Sequence, residues 1–308
     1  MKVRRPQVFC HAGLDPASSD GARAEHGVCH NAGLPLGSEQ QQSVLDLQLI
    51  LELALIGTCT GFLAGLLGIG GGMIMVPFVA MILAARDFPE DLTLKMAVAT
   101  SLATICFTSL SSVWAHQKRG AVVWPVVKVL APGILVGSLI GAQIAVALPG
   151  KLLGILFAIF VAFSATQILL DRKPKPGRTL PGPLVTFGVG NGIGVVSSVV
   201  GAGGAFMSVP FMLWCNVRIH EAVGTSAALG FPIALAGTAG YVWAGQGLPQ
   251  SPPGAFGYLY VPGLVVISIF SMLLAPVGAR TAHRTDTRPL RRAFAVVLYC
   301  LAAYFVLR

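Results

Sequence analysis

The chain has 308 residues, of which 55% are hydrophobic and only 11% are charged, and its formal net charge is +9. An ordinary soluble domain contains about a quarter charged residues, so this composition excludes a chain whose surface mostly faces water. The positive charge does not indicate nucleic-acid binding, because the Lys and Arg residues lie in short loops between apolar segments. We therefore predict an all-α polytopic protein whose partner is the lipid bilayer and not a nucleic acid.

Residues 1–43 differ from the rest of the chain, since they are rich in Gly, Ser, Gln and charge and contain no long apolar segment. We interpret them as a disordered N-terminal tail. The Cys and His residues in this tail have a spacing that matches no zinc-binding pattern. We therefore predict no metal site and no cofactor.

A glycine-rich motif occurs twice, because residues 61–78 have the sequence GFLAGLLGIGGGMIMVPF and residues 194–211 have the sequence GVVSSVVGAGGAFMSVPF. Such a repeat predicts two related structural units. The boundary between them is a charged, Pro-rich segment that is unsuited to a membrane helix. The predicted domains are a first membrane repeat at 44–170, a cytoplasmic linker at 171–183 and a second membrane repeat at 184–308.

Each repeat is predicted to contain about five helices, with a glycine break between its first and second helix. The first glycine break comprises residues 68–72 and the second comprises residues 201–204. In the first repeat the predicted helices span 45–67, 73–85, 96–116, 121–147 and 151–170. In the second repeat they span 183–200, 205–216, 221–244, 257–277 and 291–307.

The loop charges indicate that the two repeats have opposite orientations in the membrane. The loop at 116–120 contains Lys118 and Arg119, whereas the corresponding loop at 245–257 contains no charged residue. The loop at 280–292 is strongly basic, and its counterpart at 149–151 contains a single Lys. Because basic loops remain in the cytoplasm, we predict inverted repeats. We expect eight to ten membrane crossings and prefer ten.

The two copies of the glycine-rich motif, each ending in Val-Pro-Phe, resemble the TauE/SafE family of membrane permeases. The resemblance covers residues 47–308. It implies a multi-pass protein of the bacterial inner membrane that exports or takes up sulfite, organosulfonates or, more broadly, small anions. The second copy departs from the fuller motif at Ala205, which replaces the Gly72 of the first copy.

The glycines themselves give a physical reason to expect a binding site near the midplane of the membrane. A break in an apolar helix is tolerated only where it is buried in protein or lines a wet cavity, and it frees backbone N-H groups. The alternative is that these glycines only allow close helix packing. Because Ala205 is accepted in the second copy, we expect Gly72→Ala to be milder than Gly71→Val. The predicted substrate-binding glycines are Gly68, Gly70, Gly71, Gly72, Gly201, Gly203 and Gly204.

Hydroxyl groups occupy matching places in the two repeats and provide further candidates. Thr100, Ser101, Thr225 and Ser226 could donate hydrogen bonds to the oxygens of an anion. The alternative is bonding to neighbouring helices or to their own backbone. Pro77 and Pro210 are predicted to have structural roles.

Two other classes of protein compete with a transporter. An enzyme would need a nucleophile with its base, a metal triad or a pair of carboxylates, and the predicted spans contain no such set. We therefore predict no catalytic residues. A passive anion channel is the nearer alternative, because the same residues could line a continuous pore.

The inverted arrangement makes a testable prediction about three loops. Reporter domains fused between Lys173 and Arg178, or at Arg284, are expected to lie in the cytoplasm, and one fused at Gln250 is expected to lie outside. Reporter activity in intact cells measures these locations. A cytoplasmic Gln250 fusion together with an external Arg284 fusion would contradict inverted repeats.

Overall fold

The computed structural model describes residues 47–67, 72–86, 88–170, 181–248, 254–282 and 288–307. The predicted tail, residues 68–71 of the first glycine break and residues 171–180 of the predicted linker lie outside these ranges. The second glycine break lies entirely within them.

Ten α-helices and one short β-hairpin form the described part of the chain, which confirms the predicted all-α fold. The helices of the first half are α1 (Leu47–Leu67), α2 (Gly72–Ala85), α3 (Glu90–Gln117), α4 (Trp124–Ala147) and α5 (Gly150–Leu170). The helices of the second half are α6 (Pro183–Val200), α7 (Ala205–Trp214), α8 (Ile219–Ala244), α9 (Val261–Ala282) and α10 (Arg288–Leu307).

The two halves place their glycine breaks identically. Helices α1 and α6 end at Leu67 and Val200, and helices α2 and α7 begin at Gly72 and Ala205. The distance in sequence between the two helix ends equals the distance between the two helix starts, so the two breaks have the same length. In the second half the cause is visible, because Gly201 ends α6 in the left-handed conformation with φ 73°.

Seven of the ten described helices are long and apolar enough to cross a membrane, which confirms the multi-pass prediction. Many of their large apolar side chains are exposed, as a lipid-facing surface requires. Helices α2 and α7, with 14 and 10 residues, extend only about 21 and about 15 Å. Neither covers a hydrocarbon core of about 30 Å by itself, so the number of full crossings stays a prediction.

The connection between α8 and α9 differs from the sequence prediction. A helix was expected from residue 257, but a hairpin of β1 (Ala255–Phe256) and β2 (Leu259–Tyr260) precedes α9. Gly254 and Gly257 have positive φ angles, and Pro262 occupies the first turn of α9. These residues favour a turn followed by a late helix start. The predicted start of this helix is therefore wrong by four residues.

Glycine-lined helix pairs join the two halves. Helix α4 packs along α6, where a Cβ added to Gly141 would lie 2.5 Å from the carbonyl oxygen of Val195. Helix α1 packs along α9, where a Cβ on Gly61 would lie 2.5 Å from the Cα of Ser271. Such contacts bring backbone against backbone, as expected for small residues in membrane helices.

The direction of helix packing follows from which residues meet. Gly133 and Gly141 of α4 meet Phe187 and Val195 of α6, so these helices run parallel. The central helices α3 and α8 have the opposite relative direction. Leu102 and Ser109 of α3 lie beside Gly237 and Gly230 of α8, so these two helices run antiparallel.

Helices α5 and α10 also run antiparallel, because Phe157 contacts Phe305 whereas Thr166 bonds to Tyr299. Like α3 and α8, these two helices hold the same place in their respective halves. Equivalent helices run in opposite directions if the two halves are inverted, and in the same direction if the halves are parallel. The geometry favours the inverted arrangement, whose orientation in the bilayer stays a prediction.

Candidate functional site

The second glycine break is a buried turn between α6 and α7. All residues from Gly201 to Ala205 are buried. Gly201 and Gly204 have φ angles of 73° and 72°, a conformation that side chains with a Cβ rarely adopt. The N-H groups of Gly201 and Ala202 both donate to the carbonyl of Ser197 and close the end of α6.

At the start of α7, several backbone N-H groups have no partner among the described residues. The first hydrogen bonds of this helix run from the N-H groups of Met207 and Ser208 to the carbonyl of Gly204. Among the described residues, the N-H groups of residues 203–206 have no acceptor. A buried, unpaired amide costs about 1–3 kcal/mol. An acceptor placed against this helix N-terminus would remove that cost and would meet its partial positive charge.

The two glycine breaks meet at this point. A Cβ built on Gly72, the first residue of α2, would overlap the carbonyl oxygen of Gly201 and would lie 3.2 Å from the Cα of Ala202. The other side of the second break packs on the first half as well, since a Cβ on Gly201 would lie 2.8 Å from Val76. Residues 68–71 lie outside the described part, so this contact is described for Gly72 of the first break.

The predicted serine candidates bond to protein groups near the breaks. Ser101 donates to the carbonyl of Gly201 over 3.0 Å and so fixes α3 against the second break. Ser226 of α8 shares a hydrogen bond of 2.8 Å with Ser208 of α7. Both bonds are buried, which agrees with the alternative role in interhelical bonding.

The predicted threonine candidates form two reciprocal bonds between the halves. Thr100 of α3 accepts a hydrogen bond from the backbone N-H of Tyr260, just before α9, over 3.1 Å. Thr225 of α8 accepts one from the N-H of Val123, just before α4, over 2.9 Å. Both threonines are 0% exposed. We call these two bonds the threonine latches. In each, a hydroxyl of one half bonds to the segment that enters a helix of the other half.

The hairpin places two tyrosines beside the Thr100 latch. Tyr258 packs edge to face on Tyr241 of α8, and Tyr260 packs edge to face on Phe88. Burial raises the pKa of both hairpin phenols above its ordinary value, and for Tyr260 the nearby Arg86 opposes the shift. Both phenols therefore stay neutral at physiological pH and add no negative charge near the latch.

Pro77 and Pro210 occupy the sixth positions of α2 and α7, respectively. Proline has no N-H, so neither residue can donate to the carbonyl one turn before it. Both short helices are thus interrupted at the same place. Their predicted structural role stays a prediction.

Three serines surround the second break, of which the sequence marks Ser197 and Ser198 only as weaker candidates, with a packing role favoured, and does not mark Ser208. Ser197, Ser198 and Ser208 are all buried, and the matching positions of the first copy are Ala64, Gly65 and Met75. A direct comparison of the two motif copies would have found this difference. It shows that the polar groups at the two breaks are not equivalent.

Apolar membrane-length helices in two related halves, each with one short helix after its first helix, define a polytopic helical membrane protein. The chain belongs to the sulfite exporter TauE/SafE family, whose model matches residues 53–305. This membership confirms the resemblance seen in the sequence.

Several curated relatives have the length of the membrane part of this chain. A probable membrane transporter protein of Haemophilus influenzae is 34% identical over 84% of this chain and 98% of its own. The probable membrane transporter protein YunE of Bacillus subtilis is 24% identical over 82% and 96%, respectively. A probable membrane transporter protein of Methanocaldococcus jannaschii is 24% identical over 85% and 97%. Together with the family match, these relatives indicate that the protein is a membrane transporter.

The contact between the breaks leads to a prediction for Gly72→Ala. Its added methyl group would overlap the Gly201 carbonyl and lie 2.9 Å from Ile105, so the breaks must separate. Overpacking of this kind costs about 1–3 kcal/mol. We expect a lower thermal midpoint and a severe loss of flux, a larger effect than the presence of Ala205 in the second copy suggests.

The matched control is Gly154→Ala in α5, where the added Cβ would have only ordinary contacts of 3.8 Å. Thermal unfolding of the purified variants and flux per folded molecule measure both effects. Wild-type stability and flux in Gly72→Ala would show that the two breaks do not meet as described.

Proposed function

We propose that the protein transports a small anion across the bacterial inner membrane, and that sulfite, a sulfonate or a related carboxylate is its substrate. The observation that supports this most directly is the set of unpaired N-H groups at the buried N-terminus of α7. Backbone donors at a helix N-terminus bind oxyanions, because the hydrogen bonds and the helix dipole act in the same direction. The family description as sulfite exporters agrees with this class of ligand.

The chemistry of the site favours a small anion over a cation. The second break packs against aliphatic side chains such as Ile233 and Val76, its free polar groups are the backbone N-H groups and the hydroxyl of Ser197, and no described residue from Val200 to Phe211 is acidic. A cation would need carbonyl or carboxylate ligands. Because amides and hydroxyls do not titrate near neutral pH, the proposed site attracts an anion without a proton relay.

The threonine latches suggest how access to this site alternates. The Thr225 latch bonds to the segment that follows the basic loop with Lys118 and Arg119, which the positive-inside rule assigns to the cytoplasm. The Thr100 latch bonds to the hairpin that follows the uncharged loop, assigned to the outside. Opening one latch while the other stays closed would expose the breaks to one side at a time.

Proteoliposomes that contain the full-length protein test the proposed function. We expect saturable uptake of sulfite, methanesulfonate or acetate, with counterflow when unlabelled anion is present on the opposite side. A lumen-negative potential should accelerate efflux of a monovalent anion, because each charge gains about 2.3 kcal/mol per 100 mV.

Two outcomes would overturn parts of this proposal. Conductive flux without counterflow would identify a passive channel. If empty vesicles and protein-containing vesicles are equally permeable to all three anions, this substrate class is excluded.

A second prediction concerns the latches, because valine has the shape of threonine but no hydroxyl. Thr100→Val should favour the outward-open state, and Thr225→Val the inward-open state. The readout is alkylation of Cys106, as the sole remaining cysteine, by a membrane-impermeant thiol reagent. Cys106 lies on α3 between Ser101, which bonds to the second break, and Ser109. We expect a severalfold faster reaction from the side whose latch is removed.

The matched control is Thr104→Val. Thr104 is also 0% exposed on α3, but its hydroxyl donates to the Thr100 carbonyl of its own helix. This variant should leave labelling from both sides unchanged. If labelling of both latch variants is unchanged, the latches are not gates. If labelling increases from the same side in both variants, they are not gates on opposite sides of the membrane.

A further inference from the structure

The second glycine break differs from the first in the polar groups that accompany it. Ser197, Ser198 and Ser208 have exposed fractions of 1%, 0% and 0%. The matching residues in the first copy are Ala64 and Gly65 at the end of α1 and Met75 in α2. Burying a hydroxyl costs free energy unless it is hydrogen-bonded, so three buried serines around one break need an explanation.

Ser208 is explained by the protein itself, since its hydroxyl pairs with that of Ser226. Ser198 is not, because its Oγ is fully buried and has no hydrogen-bond partner. Serines within helices commonly bond back to the carbonyl one turn earlier, as Ser164 does to Phe160 over 2.9 Å. The structure therefore leaves an unused donor in the last turn of α6, beside Gly237 of α8.

Ser197 faces the start of α7. Its Oγ lies 3.1 Å from the position that a Cβ on Gly204 would occupy, and Gly204 is the residue that precedes the helix. The capping bonds from Gly201 and Ala202 use the carbonyl of Ser197 and not its hydroxyl. The hydroxyl thus lies next to the unpaired N-H groups at the same helix end.

From this placement we infer that a single oxyanion group binds at the second break, with Ser197 as the side-chain donor beside the backbone N-H groups of α7; the hydroxyl of Ser198 lies beside Gly237 and not at this helix end. This inference rests on the proposed anion transport. The ligand class is a deprotonated sulfonate-, sulfite- or carboxylate-type group, because these groups only accept hydrogen bonds.

The inference is tested by titrating methanesulfonate into the purified full-length protein and its Ser197→Ala variant, with Ser198→Ala as a neighbouring control whose hydroxyl lies beside Gly237 of α8. Loss of one hydrogen bond to a charged ligand should weaken binding by about tenfold or more. The thermal midpoint without ligand should remain near that of the wild type, whereas its rise on adding methanesulfonate should shrink. A purely structural role of Ser197 would instead change the unliganded midpoint and leave the affinity unchanged.

Ser164→Ala is the control, because Ser164 is equally buried but its hydroxyl bonds to its own helix. It should bind methanesulfonate like the wild type. If Ser197→Ala binds like the wild type while Gly204→Val, folded, does not, Ser197 is not a ligand and the inference is wrong, although the proposed function stands. If the wild type binds neither methanesulfonate, sulfite nor acetate, the proposed function itself is wrong.

Discussion

The central constraint on this structure is that backbone hydrogen-bonding groups inside a membrane protein must find partners. The turn between α6 and α7 meets this constraint only in part, because two N-H groups are used to end α6 and those at the start of α7 have no acceptor among the described residues. Glycine makes the turn possible, since Gly201 and Gly204 have positive φ angles. The surrounding helices stabilise this incompletely bonded turn in a buried position.

The contacts between the halves divide into a rigid group and a weaker group. Along the α1/α9 and α4/α6 pairs, glycines bring backbones so close that a single added methyl group would overlap its neighbour. The central helices α3 and α8 combine close packing, such as Gly224 on the carbonyl of Ala121, with individual hydrogen bonds that include the threonine latches. A hydrogen bond contributes a net of about 0.5–1.5 kcal/mol, so thermal motion and ligand binding can open such a bond. Motion is therefore expected at the latches and not along the glycine-lined pairs.

The sequence predicted those features that depend on local chemistry. Apolar length located the helices, and the glycines and prolines placed the ends of α1, α2, α6 and α7 within one or two residues. The hairpin before α9 was missed, because its buried tyrosines look like part of an apolar helix. The partners of Thr100 and Thr225 were also unpredictable, since each lies more than 100 residues away in the chain. Spacing within one sequence does not reveal such contacts.

The difference between the two breaks follows from the different physical roles of backbone and side chain. Backbone N-H groups are present in any sequence that forms the turn, so they give a general affinity for oxyanions that does not depend on substrate identity. Side chains can change without altering the turn, as Ser197 and Ser198 in place of Ala64 and Gly65 show. Because Ser101 bonds to the Gly201 carbonyl, the position of this turn is also tied to α3, the helix that bears the Thr100 latch. A ligand that binds at the second break would therefore also affect the Thr100 latch on α3. In this way ligand binding would be coupled to the change of access.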